Sequence, residues 1–148
     1  MSHTDTLLAL SHPLVALLIA ALLGGAWRFM GRPPHLRYFI GAFTCYATGL
    51  ILQITLWPAN LAVNVAATGV LYGAAAFLFA SGIAQLERKH LPPWPSALIL
   101  AAMLAVRLWS LRDPAWSGLR IGALYTAVTL LFLLALWRIR HLARGTAL

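Results

Sequence analysis

The chain has 148 residues, of which 61% are hydrophobic and only 9% charged, with a formal net charge of +8 and a mean hydropathy of +0.83. Water-soluble domains carry about 25% charged residues, so this composition excludes an ordinary soluble fold and points to apolar segments in lipid. The basic residues gather at the ends of apolar runs rather than along a stripe with interleaved aromatics, which excludes nucleic acid as a partner.

Met1 to Leu10 contains no lysine or arginine, whereas a secretory signal needs a positive n-region. The first apolar run, 12–29, is therefore expected to be a retained helix. The segment Arg28-Phe29-Met30-Gly31-Arg32-Pro33-Pro34-His35-Leu36-Arg37 follows, with three arginines, no acid and a Pro-Pro break. Cationic loops stay on the cytoplasmic side because moving arginine or lysine across a bilayer is costly. This loop is expected inside, and the N-terminus outside.

The second span is expected over 36–57, stopped by Pro58, and the third over 61–86. The short Pro58-Ala59-Asn60 connection suits an external turn, with Trp57 at headgroup level. Glu87 to Pro95 is net basic and proline-rich and belongs inside; Pro92-Pro93-Trp94-Pro95 reads as a rigid turn between helices. The fourth span covers 96–111, Arg112 to Ser117 forms an external loop, and the fifth span covers 118–137. Lysine and arginine then divide as eight inside (Arg28, Arg32, Arg37, Arg88, Lys89, Arg138, Arg140, Arg144) against three outside (Arg107, Arg112, Arg120). The fold class is all-α: a polytopic membrane bundle of five helices forming a single domain, N-terminus out and C-terminus in.

Small residues mark helix contacts in lipid, where association relies on close packing. Gly41, Cys45 and Gly49 recur at four-residue spacing in the second span, Gly69 and Gly73 in the third, and Gly118 and Gly122 in the fifth. Packing within one chain is preferred to a dedicated dimer face. Cys45, the single cysteine, reads as a small packing residue. Trp27, Trp94, Trp109, Trp116 and Trp137 fall near the interfaces and read as anchors; Tyr72 and Phe77 lie deeper and read as lipid-facing or core packing.

Chemistry has few places to reside. The acids Asp5, Glu87 and Asp113 and the histidines 3, 12, 35, 90 and 141 are all peripheral, with no mid-membrane pair for a haem. No nucleophile elbow, zinc-protease or P-loop pattern is present. No catalytic residue, metal site or cofactor is expected. One polar constellation stands out at the external half: Gln53, then Asn60, Asn64 and Thr68 four apart on one helix face, with Arg107, Arg120, Tyr125 and the nearby His12. Only Asp113 is near to neutralise three arginines, so a pocket there suits a small anionic or carboxylate ligand. More simply, the arginines snorkel to lipid phosphates and the amides bond one another across helices. On the pocket hypothesis, Arg107→Ala or Asn64→Leu abolishes a ligand response while insertion is unchanged.

Trp27-Arg28 followed by Leu36-Arg37-Tyr38-Phe39 opens a set of helix-end patterns. An Ala-rich third span ends in Ala80-Ser81-Gly82-Ile83, and Arg120-Ile121 opens a helix that ends in Leu136 to Gly145. Together these resemble the N-terminal membrane region of bacterial GGDEF-domain proteins, the diguanylate cyclases. The resemblance implies an inner-membrane sensory module whose last helix passes a state change to a cytoplasmic cyclase in cyclic di-GMP signalling. The cyclase signature and its metal-binding aspartate are absent, so no catalytic or binding residue carries over. The chain is expected to be either the input part of a longer signalling protein or a stand-alone relative. Expected partners are the bilayer, a small anionic external ligand, and a second copy or a larger signalling protein. The rival expectation is a small transporter or an accessory subunit of a membrane complex.

Overall fold

In the computed structural model, which describes residues 3–143, five long helices follow in chain order: α1 His3–Phe29, α2 Pro34–Thr55, α3 Leu61–Leu86, α4 Pro93–Trp109 and α5 Ser117–Ala143. Two single 3₁₀ turns, Ser110–Arg112 and Pro114–Trp116, join α4 to α5. Five stretches are long and apolar enough to cross a membrane, from 20 residues in α1 to 26 in α3, the fourth being α4 together with the 3₁₀ turn that follows it. At ~1.5 Å per residue, about 20 residues cover the ~30 Å hydrocarbon core. The chain is an all-helical, multi-pass membrane bundle. Arg144 and Gly145, used above in the charge count and the resemblance, lie outside the described residues.

Helix boundaries depart from the expected spans most at α1, which begins at His3 rather than at residue 12, and in three further places. α2 ends at Thr55 rather than Trp57, because Leu56 adopts a left-handed conformation (φ 51°) and its N–H and that of Trp57 both close onto the Leu52 carbonyl. α4 begins at Pro93, so Pro92-Pro93-Trp94-Pro95 is a helix start and not a separate turn. Proline is tolerated there because the first-turn N–H groups have no helical partner. α5 continues past Trp137 to Ala143.

Successive helices alternate in direction around α3, which packs antiparallel to α2 and α4 and parallel to α5, while α1 packs on α2. The core is built of small residues: Ala42, Ala47, Ala80, Ala84, Ala127 and Ala135 are all buried, whereas Leu14, Leu18, Leu22 and Leu98 point outward. This reverses the size pattern of a water-soluble core. Lipid is as apolar as leucine, so burying leucine gains little, and close backbone approach decides the packing. Several side-chain hydroxyls bond back to their own helices, as with Thr44 to the Ile40 carbonyl and Thr129 to the Tyr125 carbonyl, which satisfies those donors without a partner in lipid.

The glycines divide into two groups. A Cβ at Gly41 would lie 3.1 Å from Leu78, at Gly49 2.8 Å from the Tyr72 ring, and at Gly73 3.0 Å from Leu100. These three are contact positions between α2, α3 and α4. Gly82, not singled out in the sequence, meets Phe39 at 2.9 Å. Gly118 and Gly122 have nothing within 4 Å, so the fifth-span motif does not pack within the chain.

Candidate functional site

α2 and α5 both pack on α3 and make little direct contact with one another. The gap between them is a cleft of about 860 Å³, within the size range of small-molecule sites. Its floor is α3, its walls are α2 and α5, and Arg107 of α4 enters at one end.

Gln53, Asn64, Thr68, Arg107, Arg120 and Tyr125 all line this cleft. Asn60 does not. It is the N-cap of α3, its side-chain oxygen accepting from the N–H groups of Ala62 and Val63. His12 is also off the site, exposed on α1.

The polar groups form a chain of bonds with one free end. Asn64 Nδ2 donates to the carbonyls of Leu52 and Trp57, both at 3.0 Å, and thereby satisfies the C-terminal end of α2. The Thr68 hydroxyl donates to the Asn64 carbonyl at 2.8 Å and accepts from Arg107 Nη2 at 3.3 Å. Arg107 is only 8% exposed, and its Nε is buried with no partner. Gly69 makes room for it, since a Cβ there would sit 3.1 Å from Arg107 Nε. Arg120 lines the same end of the cleft, and no carboxylate lies among the lining residues. Asp113 is instead engaged with the Ala115 N–H at 2.8 Å. The guanidinium of Arg112 stacks on Trp109, 4.0 Å from the ring centre, so it belongs to the interface and not to the cleft.

Tyr72 was read above as packing, and the structure gives it a further part. Its hydroxyl donates to Gln53 Oε1 at 2.6 Å, joining α3 to α2 across the cleft wall, and its ring fills the space over Gly49. The signal was in the spacing: Asn64, Thr68 and Tyr72 form one four-residue stripe. Phe77 packs against the small-residue core.

Away from the arginines the lining becomes apolar and ends in a row of rings. Phe79 meets Phe43 of α2 at 6.0 Å and Phe132 of α5 at 5.8 Å, and Phe39 stands behind it at 5.1 Å. The cleft is therefore polarised, with two guanidinium groups at one end and an aromatic stop at the other. Among the described residues no group of three histidine, cysteine or acidic side chains is placed to hold a metal.

No family model, curated protein or solved structure matches this chain. The fold and cleft by themselves define its class: a multi-pass helical membrane module with a lateral cleft between two of its helices.

Proposed function

We propose that the chain is a membrane-embedded binding module of the sensory type, whose cleft holds an anion between Arg107 and Arg120. The observation that carries this is Arg107: a nearly buried guanidinium with one long hydrogen bond, an unpartnered Nε and no acid lining its cavity. A buried cation without a counter-charge is costly, and an anionic ligand would remove that cost. The aromatic row at the far end favours holding a ligand over passing it through the bilayer.

The sensory reading needs a ligand that distinguishes two packings. A group bound to Arg107 of α4 and Arg120 of α5 beside α2 would tie the α4–α5 pair to α2, to which it is otherwise joined chiefly through α3. The basic ends of α1–α2, α3–α4 and α5 are all at the opposite end of the bundle from the arginine pair. Retention of cationic loops puts the cleft's polar end outside and the α5 terminus in the cytoplasm.

Butyrate is a suitable first probe. It should raise the thermal midpoint of the purified protein and do so less in Arg120→Gln; saturation at 100 times Kd corresponds to ~2.7 kcal/mol. An equal rise in both proteins would remove the anion site.

A cyclic di-GMP output is the more specific reading. The continuity of α5 over 27 residues supports it, because a rod from the cleft to beyond the span can carry a displacement. Cyclic di-GMP measured in native cells should then differ between wild type and Arg120→Gln. Equal levels across a range of added carboxylates would leave binding without this output.

A further inference from the structure

We infer that the occupant of the cleft is a single-chain anionic amphiphile, a fatty-carboxylate type of lipid, entering sideways from the bilayer between α2 and α5. This rests on the anion site proposed above and adds the tail. Two observations extend it beyond a small anion. First, the cleft continues far past the charged end: the part of α3 from Thr68 to Phe79 is ~16 Å long at ~1.5 Å per residue. A small carboxylate would leave most of the 860 Å³ unfilled. Second, the lining changes character along that length, from Arg107, Arg120 and Thr68 to Ala76, Val128 and the Phe79–Phe132 pair. Charge at one end and a long apolar slot at the other complement an acidic head and an unbranched chain.

The route of entry follows from the packing. The lips of the cleft include Tyr46, Ile121 and Tyr125, all exposed toward the surrounding lipid. An amphiphile dissolved in the bilayer already lies with its head at the interface and its tail along the helices. It reaches the slot without leaving the membrane. The tail gains little from exchanging lipid for an apolar wall, so selection falls on the head, paired with guanidinium in a weakly screened site. The aromatic row sets the depth of the tail.

The test uses the whole chain in nanodiscs of phosphatidylcholine and a dodecanoate with a diazirine at its chain end. Photolabelling should concentrate on the α3 and α5 peptides containing Phe79 and Phe132. Unlabelled dodecanoate should compete at least tenfold better than butyrate or dodecanol at equal aqueous concentration. Val128→Trp, which fills the slot, should lose labelling tenfold while keeping the butyrate-induced thermal shift; Arg120→Gln should lose both, and Arg120→Lys should restore labelling.

Labelling spread equally over Leu14 and Leu18 of α1 would mean ordinary boundary lipid and would overturn the inference. Butyrate competing as well as dodecanoate would leave the anion site standing and remove the tail. Dodecanol competing equally would remove both. Displacement by phosphatidylglycerol but not by dodecanoate would replace the single-chain occupant with a diacyl lipid, and a cleft shielded by a second copy would show no label at Phe79 in a dimeric fraction.

Discussion

Gly49 and Gly122 look alike in the sequence, yet they should respond oppositely to a methyl group. At Gly49 the new Cβ would stand 2.8 Å from a Tyr72 ring that is buried and held by Gln53. Gly49→Ala should therefore cost about 1–3 kcal/mol, as overpacking does. Gly122→Ala meets nothing and removes a flexible residue from a helix, so it should be neutral or stabilising by up to ~1 kcal/mol. Reversible unfolding in mixed micelles would measure both, and equal losses would contradict the assignment of contact faces. Asn64 shows how geometry changes a prediction. Asn64→Leu was expected to abolish a ligand response while leaving insertion unchanged. Its amide donates to the Leu52 and Trp57 carbonyls; Leu52 keeps two backbone donors, so the loss falls on the Trp57 carbonyl and should cost about 1–3 kcal/mol. A destabilised Asn64→Leu protein that still binds butyrate would separate the two roles.

Among the elements, α5 is the one whose motion any output must use. Its C-terminal part is tied to the α3–α4 connection by Lys89, whose ammonium donates to the Ile139 carbonyl at 3.1 Å. Lys89→Ala should release that end. A loss of ~1 kcal/mol corresponds to about a fivefold increase in amide exchange over the last turns of α5, with no change near Tyr125. Exchange unaltered at Ile139 to Ala143 would show that the tether carries no stability. The exposed Gly118 and Gly122 belong to the other half of the same helix, so α5 combines a bound terminus with an uncovered face toward lipid.

For the whole molecule, the orientation is the property with the widest consequences. It can be read by labelling single cysteines in intact cells after Cys45→Ser. With the cleft's polar end outside, Asp113→Cys should react with an impermeant maleimide in intact cells, and Arg32→Cys only after the membrane is opened. The opposite pattern would reverse the bundle and place the arginine pair in the cytoplasm. Retention of basic loops favours the first outcome, since seven described lysines and arginines lie at one end (Arg28, Arg32, Arg37, Arg88, Lys89, Arg138, Arg140) and three at the other (Arg107, Arg112, Arg120).

The sequence by itself determined the number of helices and most of their limits to within two or three residues; the start of α1 and the end of α5 run further than expected. Apolar length, proline and basic ends are local quantities, and a bilayer leaves an apolar segment of that length little alternative to a helix. It also brought Gln53, Asn64, Thr68, Arg107, Arg120 and Tyr125 to one end, because antiparallel hairpins carry residues at matching depth to the same side. Which of these polar groups are already bonded, and which are left free, depends on how the helices rotate about their axes. That rotation is set by side chains meeting across helices, and it decided that Asn64 closes α2 and that Tyr72 joins Gln53, whereas the Asn60 cap is local to the first turn of α3. The same rotation left Arg107 nearly buried without an acid. The cleft has the same origin: no property of α2 or α5 foretells that both would pack on α3 while leaving a space between themselves.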